Sequence, residues 1–260
     1  MAPTDLDIPL LRRRLSGRLL GCQVLYHDSL DSTMDEARRL AEQGEPEGTV
    51  VISEEQTSGR GRFHRSWITP RGQNLNLSVL LRPTLAQLPY VNMASTMAVC
   101  RAVQDLTGLA PAIKWPNDVR VNGRKLAGIL IETAVEGAEL TRTIVGIGLN
   151  VNFDPAQYPE IASFATSMSR ETGQSIDRTP VLQIVLEQLD GLYREVEAGR
   201  SLTSDWAALL ETLGRTVQVS WNDRVVEGRA ESVDEQGNLI LARPDGTTFT
   251  ALAGEVTLQV

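Results

Sequence analysis

The sequence predicts an α+β protein in two parts: strands and helices over residues 1–214, followed by a small all-β barrel over residues 215–260. Two observations carry this prediction. Strand-like and helix-like periods alternate as far as about residue 213, and from Arg215 onward only strand and turn patterns remain. A chain of 260 residues, 42% hydrophobic and 22% charged, is ordinary for a globular protein and long enough for one large and one small domain.

The elements follow in order. Cys22 to His27 reads as a strand. In Asp31-Ser32-Thr33-Met34-Asp35-Glu36, Thr33 and Glu36 have the spacing of a capping box, and Met34, Ala37 and Ala41 make the apolar face of the helix that follows. Thr49 to Ile52 is a second strand that runs into the loop TSGRGRFHRSW, Thr57 to Trp67. Leu75, Leu77, Val79 and Leu81 alternate with Asn74, Asn76, Ser78 and Leu80, the period of a strand. A helix follows from about Ala94 to Thr107, with Gly108 just past its end. Asn122-Gly123 is the residue pair of a two-residue type I′ turn, so Val119 to Val121 should pair back on Arg124 to Leu126. If Val121 faces Arg124, then Arg120 faces Lys125, and Lys125 shares a neighbourhood with Asp118. Thr143 to Asn152 closes the large domain as a strand, with Gly146, Gly148 and Asn150 on one face, bare backbone ending in an amide. Residues 153–178 are loop-rich; Thr179-Pro180 reads as the N-cap and first-turn proline of a helix through Glu197, and a further short helix ends near Gly214. VQVSW, VVEGRAESV, NLILAR, TFTAL and VTLQV, separated by turn residues, make a small closed barrel of about five strands.

A formal net charge of −8 argues against a general role on nucleic acid or an anionic membrane, so any positive patch must be local and aimed at a small anion. The loop with Arg60, Arg62 and Arg65 around Gly59 and Gly61 has that character: glycines let backbone N–H groups approach a ligand, and guanidiniums fork onto carboxylate or phosphate. Trp67 at its end could stack on a flat ring or be an ordinary half-buried aromatic. Of Ser32 and Thr33, one could cap the helix while the other faces a ligand. Cys22 and Cys100 match no metal or redox spacing, and with only His27 and His64 in the chain they read as reduced thiols of a cytoplasmic protein. No run is apolar enough for a signal peptide or a membrane span, since Arg12, Arg13 and Arg14 interrupt the first candidate. Gly146-x-Gly148 is no dinucleotide fingerprint, because Val151 stands where the third glycine belongs, and no P-loop sequence occurs.

Taken together, the motifs resemble those of the biotin protein ligases. The matching segments are Asp31-Ser32-Thr33, Gln56 through Gly59-Arg60-Gly61-Arg62 to Arg65-x-Trp67, Lys114-Trp115-Pro116-Asn117-Asp118, Lys125-Leu126-Ala127-Gly128-Ile129-Leu130 and Gly146-x-Gly148-x-Asn150, in matching order and spacing from about residue 22 to the end. Two residues depart from the pattern: His64 stands where many relatives have glycine, and Met34 where others have asparagine. The resemblance implies a mixed-sheet catalytic domain with flanking helices, an SH3-like C-terminal barrel, and ATP-dependent activation of biotin to biotinyl-5′-AMP, with Mg²⁺, followed by transfer to a lysine of a biotin carboxyl carrier domain. It implies biotin contacts for Ser32, Thr33, Gln56, Gly59, Arg60, Arg62, Lys125 and Gly128, and nucleotide contacts for Arg62, Arg65, Trp67, Asn117, Lys125 and Asn150. Lys125, Arg62 and Asp118 become the catalytic candidates, with Asp118 either orienting the phosphates with Mg²⁺ or accepting the proton of the incoming lysine. A homodimer is left open. Three other readings share parts of the pattern: a lipoate or octanoate ligase or transferase on the same fold, a nucleic-acid module built on the arginine–glycine run, and a ligase that doubles as a repressor. Relatives of the last kind carry an N-terminal helix-turn-helix domain, for which about 20 residues before the first strand leave no room.

Overall fold

In the computed structural model, residues 6–137, 139–221, 224–252 and 254–258 are described. Helix α1 (Ile8–Arg14) opens the fold, although the sequence reading places no helix there. Asp7 caps it, accepting from the Leu10 N–H, and Leu11 and Leu15 bury themselves while Arg12, Arg13 and Arg14 stay exposed. The three arginines are the solvent face of an amphipathic turn, not a break in it.

Strands β1 (Gln23–His27), β2 (Thr49–Ser53), β3 (Leu75–Leu81), β4 (Ala112–Lys114), β5 (Asp118–Val121), β6 (Arg124–Glu136) and β7 (Glu139–Leu149) form one sheet in the order β1-β2-β3-β7-β6-β5-β4. The β1–β2 pair is parallel and every other pair antiparallel, the mixed sheet expected. Helix α2 (Thr33–Glu42) covers one face, packing Met34, Ala37 and Leu40 on Val51, Leu80 and Ile144. Helices α3 (Leu88–Thr107) and α5 (Arg178–Glu197) cover the other. With both faces covered, all seven residues of β3 are buried, so the alternation in the sequence marks two different cores and not an exposed side.

Three end signals differ from the sequence reading. The capping box at α2 does not form: Ser32 makes no side-chain cap, Glu36 pairs with Arg39, and Gln56 Oε1 accepts from the Thr33 N–H at 2.8 Å. At α5 the cap is Asp177, which accepts from the Thr179 N–H, while the Thr179 hydroxyl accepts from the Asp7 N–H and ties α1 down. Helix α6 is short (Thr203–Ala207) and ends well before Gly214. Helix α3 also starts six residues ahead of the expected Ala94, with Pro89 in its first turn and Gly108 at φ 70° past its end. A further short helix, α4 (Met168–Thr172), lies in the segment read as loop. The hairpin is as the turn pair predicts, with Asn122 and Gly123 at φ 49° and 75° and Arg120 opposite Lys125.

The C-terminal strands β8 (Thr216–Trp221), β9 (Arg224–Val233), β10 (Leu239–Ala242), β11 (Thr248–Ala251) and β12 (Glu255–Leu258) make an antiparallel, SH3-like domain in the order β11-β10-β9-β8-β12. Its end strands β11 and β12 share no ladder among the described residues, so hydrogen bonds do not close the expected barrel; the last two residues of VTLQV lie outside the described residues. Trp115 Nε1 donates to the Gly237 carbonyl at 2.8 Å across the boundary between the two sheets. No helix among the described residues is long and apolar enough to cross a membrane.

Candidate active site

Where β6 and β7 run side by side, Gly128, Gly146 and Gly148 leave a floor of bare backbone beneath a pocket. The glycines are needed for space. A Cβ on Gly148 would come within 2.4 Å of the Trp67 ring, and one on Gly146 within 2.5 Å of Met34 Sδ. Trp67 therefore rests on the sheet where any larger residue would lift it.

One end of the pocket is polar and nearly dry. Ser32 and Thr33 are buried at the start of α2. Thr33 Oγ1 accepts from Ser78 and donates to Gln56 Oε1 at 3.2 Å, whereas Ser32 Oγ is buried with no partner in the protein. A buried hydroxyl without a partner costs about 1–3 kcal/mol, so this end suits a ligand that supplies hydrogen bonds. Of the two options at this helix start, the structure takes neither as written: Gln56 caps α2 from outside, which frees Ser32.

The cationic junction is built from the hairpin and the arginine loop. Lys125 Nζ lies 2.7 Å from Asp118 Oδ1 and 5.7 Å from the centre of the Trp67 ring. Its backbone is pinned on the other side, N–H to the Phe164 carbonyl at 2.7 Å and carbonyl from the Thr166 N–H at 2.8 Å. Arg62 Nη1 donates to Asn117 Oδ1 at 3.0 Å, and Asn117 Nδ2 donates to the Ile129 carbonyl at 2.6 Å. Asn117 thus spends its amide on aiming Arg62. Burial lowers the pKa of Arg62, opposed by the Asp118 carboxylate, and burial lowers that of Lys114 as well. Lys114 lines the pocket beside Asp118, its partner in the β4–β5 ladder, yet sequence reading gave it no role. The signal was there: strand alternation places Lys114 and Asp118 as direct cross-strand neighbours.

Arg60 and Arg65 also line the pocket, but each spends its guanidinium on a carboxylate. Arg60 forks onto Asp35 with two 2.7 Å hydrogen bonds, and Arg65 forks onto Glu255 of β12 at 2.7 and 2.6 Å. Each arginine lowers the pKa of its carboxylate, chiefly through the side-chain hydrogen bond. The three like charges read from the sequence are therefore not left to repel one another, and only Arg62 faces the junction unpaired with a carboxylate. The Gly59 carbonyl accepts from the Trp67 N–H, closing the loop on itself. The side chain of His64 lies outside the described residues. Asn150, buried at the far end, accepts from Asn74 Nδ2 and donates to the Thr166 carbonyl.

Among the described residues no group of His, Cys, Asp and Glu could hold a metal by itself. That donor set fits a Mg²⁺ ion that travels on nucleotide phosphates and takes one carboxylate from the protein, for which Asp118 is placed.

A pocket that joins a dry polar end to a cationic junction without a P-loop defines an acid-activating ligase class, and comparison with known proteins narrows it. Residues 26–150 match the model of the biotin/lipoate A/B protein ligase family, and residues 212–258 that of the biotin protein ligase C-terminal domain. The chain is 33% identical over 249 residues to the bifunctional ligase/repressor BirA of Bacillus subtilis, covering 94% of this chain and 77% of that one. It is 33% identical over 264 residues to the biotin–[acetyl-CoA-carboxylase] ligase of Mycobacterium tuberculosis, covering 95% of each. A biotin protein ligase from Aquifex aeolicus, solved in complex with biotin and ATP, superposes with a TM-score of 0.78 at 29% identity, over 92% of this chain and 99% of that one. The chain belongs to the biotin protein ligases.

Proposed function

We propose that this chain activates biotin with ATP and passes the biotinyl group to a lysine of a biotin carboxyl carrier domain, such as that of acetyl-CoA carboxylase, in the cytoplasm. The observation that carries the proposal is the single pocket that places the unpartnered Ser32 hydroxyl and Gln56 at one end and Lys125, Arg62 and Lys114 at the other.

In the first step a biotin carboxylate oxygen attacks the α-phosphorus and the bond to the β-phosphate breaks, releasing pyrophosphate. Two unit charges about 4 Å apart repel by roughly 4 kcal/mol at an effective dielectric of 20. Cations already in place remove that repulsion and stabilise the charge of the transition state; Lys125 and Arg62 take this role, Lys125 at the carboxylate–phosphate junction and Arg62 held by Asn117. Ser32, Thr33 and Gln56 receive the biotin head, with Gly128 and Arg60 lining the same pocket; Gly59 lies outside the lining and holds the loop closed through its bond from the Trp67 N–H. Trp67 and Asn150 take the adenine side, by ring contact and by amide. Mg²⁺, when bound with the nucleotide, would supply charge neutralisation at the phosphates, with Asp118 as the carboxylate to hold it. In the second step the neutral carrier amine attacks the acyl carbon, AMP leaves, and the amine proton is lost; we assign Asp118, 2.7 Å from Lys125, either to accept that proton or, through Mg²⁺, to orient the phosphates in the first step.

Incubating the protein with ATP, Mg²⁺, labelled biotin and a carrier domain, with labelled lipoate in parallel, tests the proposal. Biotin-dependent pyrophosphate release followed by label on the carrier is expected. Transfer of lipoate but not biotin would overturn it.

A further inference from the structure

We infer that Asn74, which does not line the pocket, is a positioning residue for the nucleotide base: it fixes which way round the Asn150 amide faces the ligand. The inference rests on the assignment of Asn150 to the adenine side.

Asn74 is 1% exposed, next to the start of β3. Its Oδ1 accepts from the Val151 N–H at 3.1 Å and its Nδ2 donates to Asn150 Oδ1 at 3.2 Å; Asn150 Nδ2 in turn donates to the Thr166 carbonyl at 3.0 Å. The two ends of this chain decide the rest. A backbone N–H can only donate and a backbone carbonyl can only accept, so the atom of Asn74 facing Val151 must be oxygen and the atom of Asn150 facing Thr166 must be nitrogen. Reversing either amide would set donor against donor or acceptor against acceptor in two places, in a dry site where unmade hydrogen bonds are costly. Amide orientation is often ambiguous in a structure; here two main-chain groups determine it.

Asn74 is itself anchored. Its carbonyl accepts from Arg178 Nη1 at 3.1 Å, and the same nitrogen bonds Glu54 at 2.7 Å, an ion pair with both side chains buried. The network thus runs from a rigid buried pair, through Asn74, to a single polarity at Asn150: one N–H and one oxygen lone pair remain for the pocket. That pairing suits adenine, whose 6-amino group donates beside a ring nitrogen that accepts. A 6-oxo purine puts an acceptor where the 6-amino group donates, so its oxygen meets the Asn150 oxygen.

Asn74→Asp keeps the shape but, as a carboxylate, accepts at both ends: it drives Asn150 to turn over while the Thr166 carbonyl still requires its nitrogen, so neither orientation is satisfied and the single polarity is lost. Asn74→Leu merely releases it. With pyrophosphate release as the assay at pH 8, Asn74→Asp should raise the KM for ATP about tenfold and lower the preference for ATP over ITP by at least about tenfold, because a good pair of base contacts discriminates by that order. Asn74→Leu should do less on both counts. Biotin affinity, measured by binding without nucleotide, should stay within about twofold for both, since hydrogen bonds at the biotin end do not pass through Asn74; this also reports that the variants fold. In an Asn150→Ala background the Asn74 substitutions should have no further effect. Equal loss with ATP and ITP, or an effect that persists without the Asn150 amide, would mean that Asn74 is structural only. An unchanged KM for ATP in Asn150→Ala alone would sink the base assignment beneath the inference, while a changed KM there with a silent Asn74→Asp would sink the positioning role by itself.

Discussion

Lys125 owes its place to backbone, not to its charge. The Asn122-Gly123 turn sets the hairpin register, Arg120 falls opposite Lys125, and a shift in the ladder then brings Asp118 opposite Gly128, leaving the lysine amine 2.7 Å from the Asp118 carboxylate. Lys125→Ala should therefore leave strand β6 intact, because the bonds to Phe164 and Thr166 are main-chain. What it removes is a preorganised cation at the point of reaction, and losses of such groups cost on the order of 10²–10³ in rate. Pyrophosphate release should fall by that factor with an unchanged thermal transition; near-normal release would sink the role. At this scale much was legible in the sequence. The Lys125–Asp118 neighbourhood follows from a turn pair two residues away, and the bare face of Gly146 and Gly148 from alternation. That neither Ser32 nor Thr33 caps α2 with its side chain was not legible, since the cap comes from Gln56, 23 residues beyond Thr33.

The arginine loop shows where reading by element falls short. Its glycines and charges mark it as a clamp for an anion, and Arg62 is held accordingly. Its other two arginines, however, tie it to α2 through Asp35 and to β12 through Glu255, and the second partner is 190 residues away in sequence. No local pattern carries such information. The loop is thus tied at both flanks by ion pairs within the chain. The carboxylates of Asp35 and Glu255 have folded-state pKa values below their ordinary 3.8 and 4.5. For a depressed acid, the stabilisation is complete above the ordinary value and is lost as pH falls through the lower folded value. Both pairs are partly exposed, so each contributes modestly and less at high salt. Hydrogen exchange over residues 59–67, corrected for intrinsic rate, should be slow from pH 5 upward and quicken below about pH 4, where the carboxylates protonate. Asp35→Asn and Glu255→Gln should quicken it at pH 7, and biotin with ATP should slow it again. Exchange indifferent to both substitutions would show that the ties do not hold the loop.

Across the whole molecule the two sheets share one core. The sequence divides cleanly where strand and turn take over at Arg215, because local periodicity reports secondary structure and says little about which elements bury one another. In the structure a single cluster of buried apolar residues runs from Leu6 through Val121 and Leu189 to Val217, Leu241 and Val256. Trp115, one residue before the prolyl of the catalytic segment, donates to Gly237, and Trp206 donates to Thr96 within helix α3. Gly237 sits at φ 77° with Met93 and Trp206 so close that a Cβ there would lie 2.8 Å from Met93, so the turn before β10 is fitted against α3 and α6. Burying apolar surface contributes roughly 25 cal/mol per Å², and a small domain that relies on its neighbour for part of that burial has little margin alone. The C-terminal sheet should therefore unfold together with the larger one. Urea titrations followed by tryptophan fluorescence, which reports Trp115 and Trp206 at the junction together with Trp67 and Trp221, and by far-ultraviolet circular dichroism, which reports all strands and helices, should give one coincident transition. Gly237→Ala should move that midpoint to lower urea in both signals together, since it wedges the junction and strains the turn. Two separate transitions, or a fluorescence midpoint that shifts while the dichroism stays, would show two independently stable units whose contact is incidental.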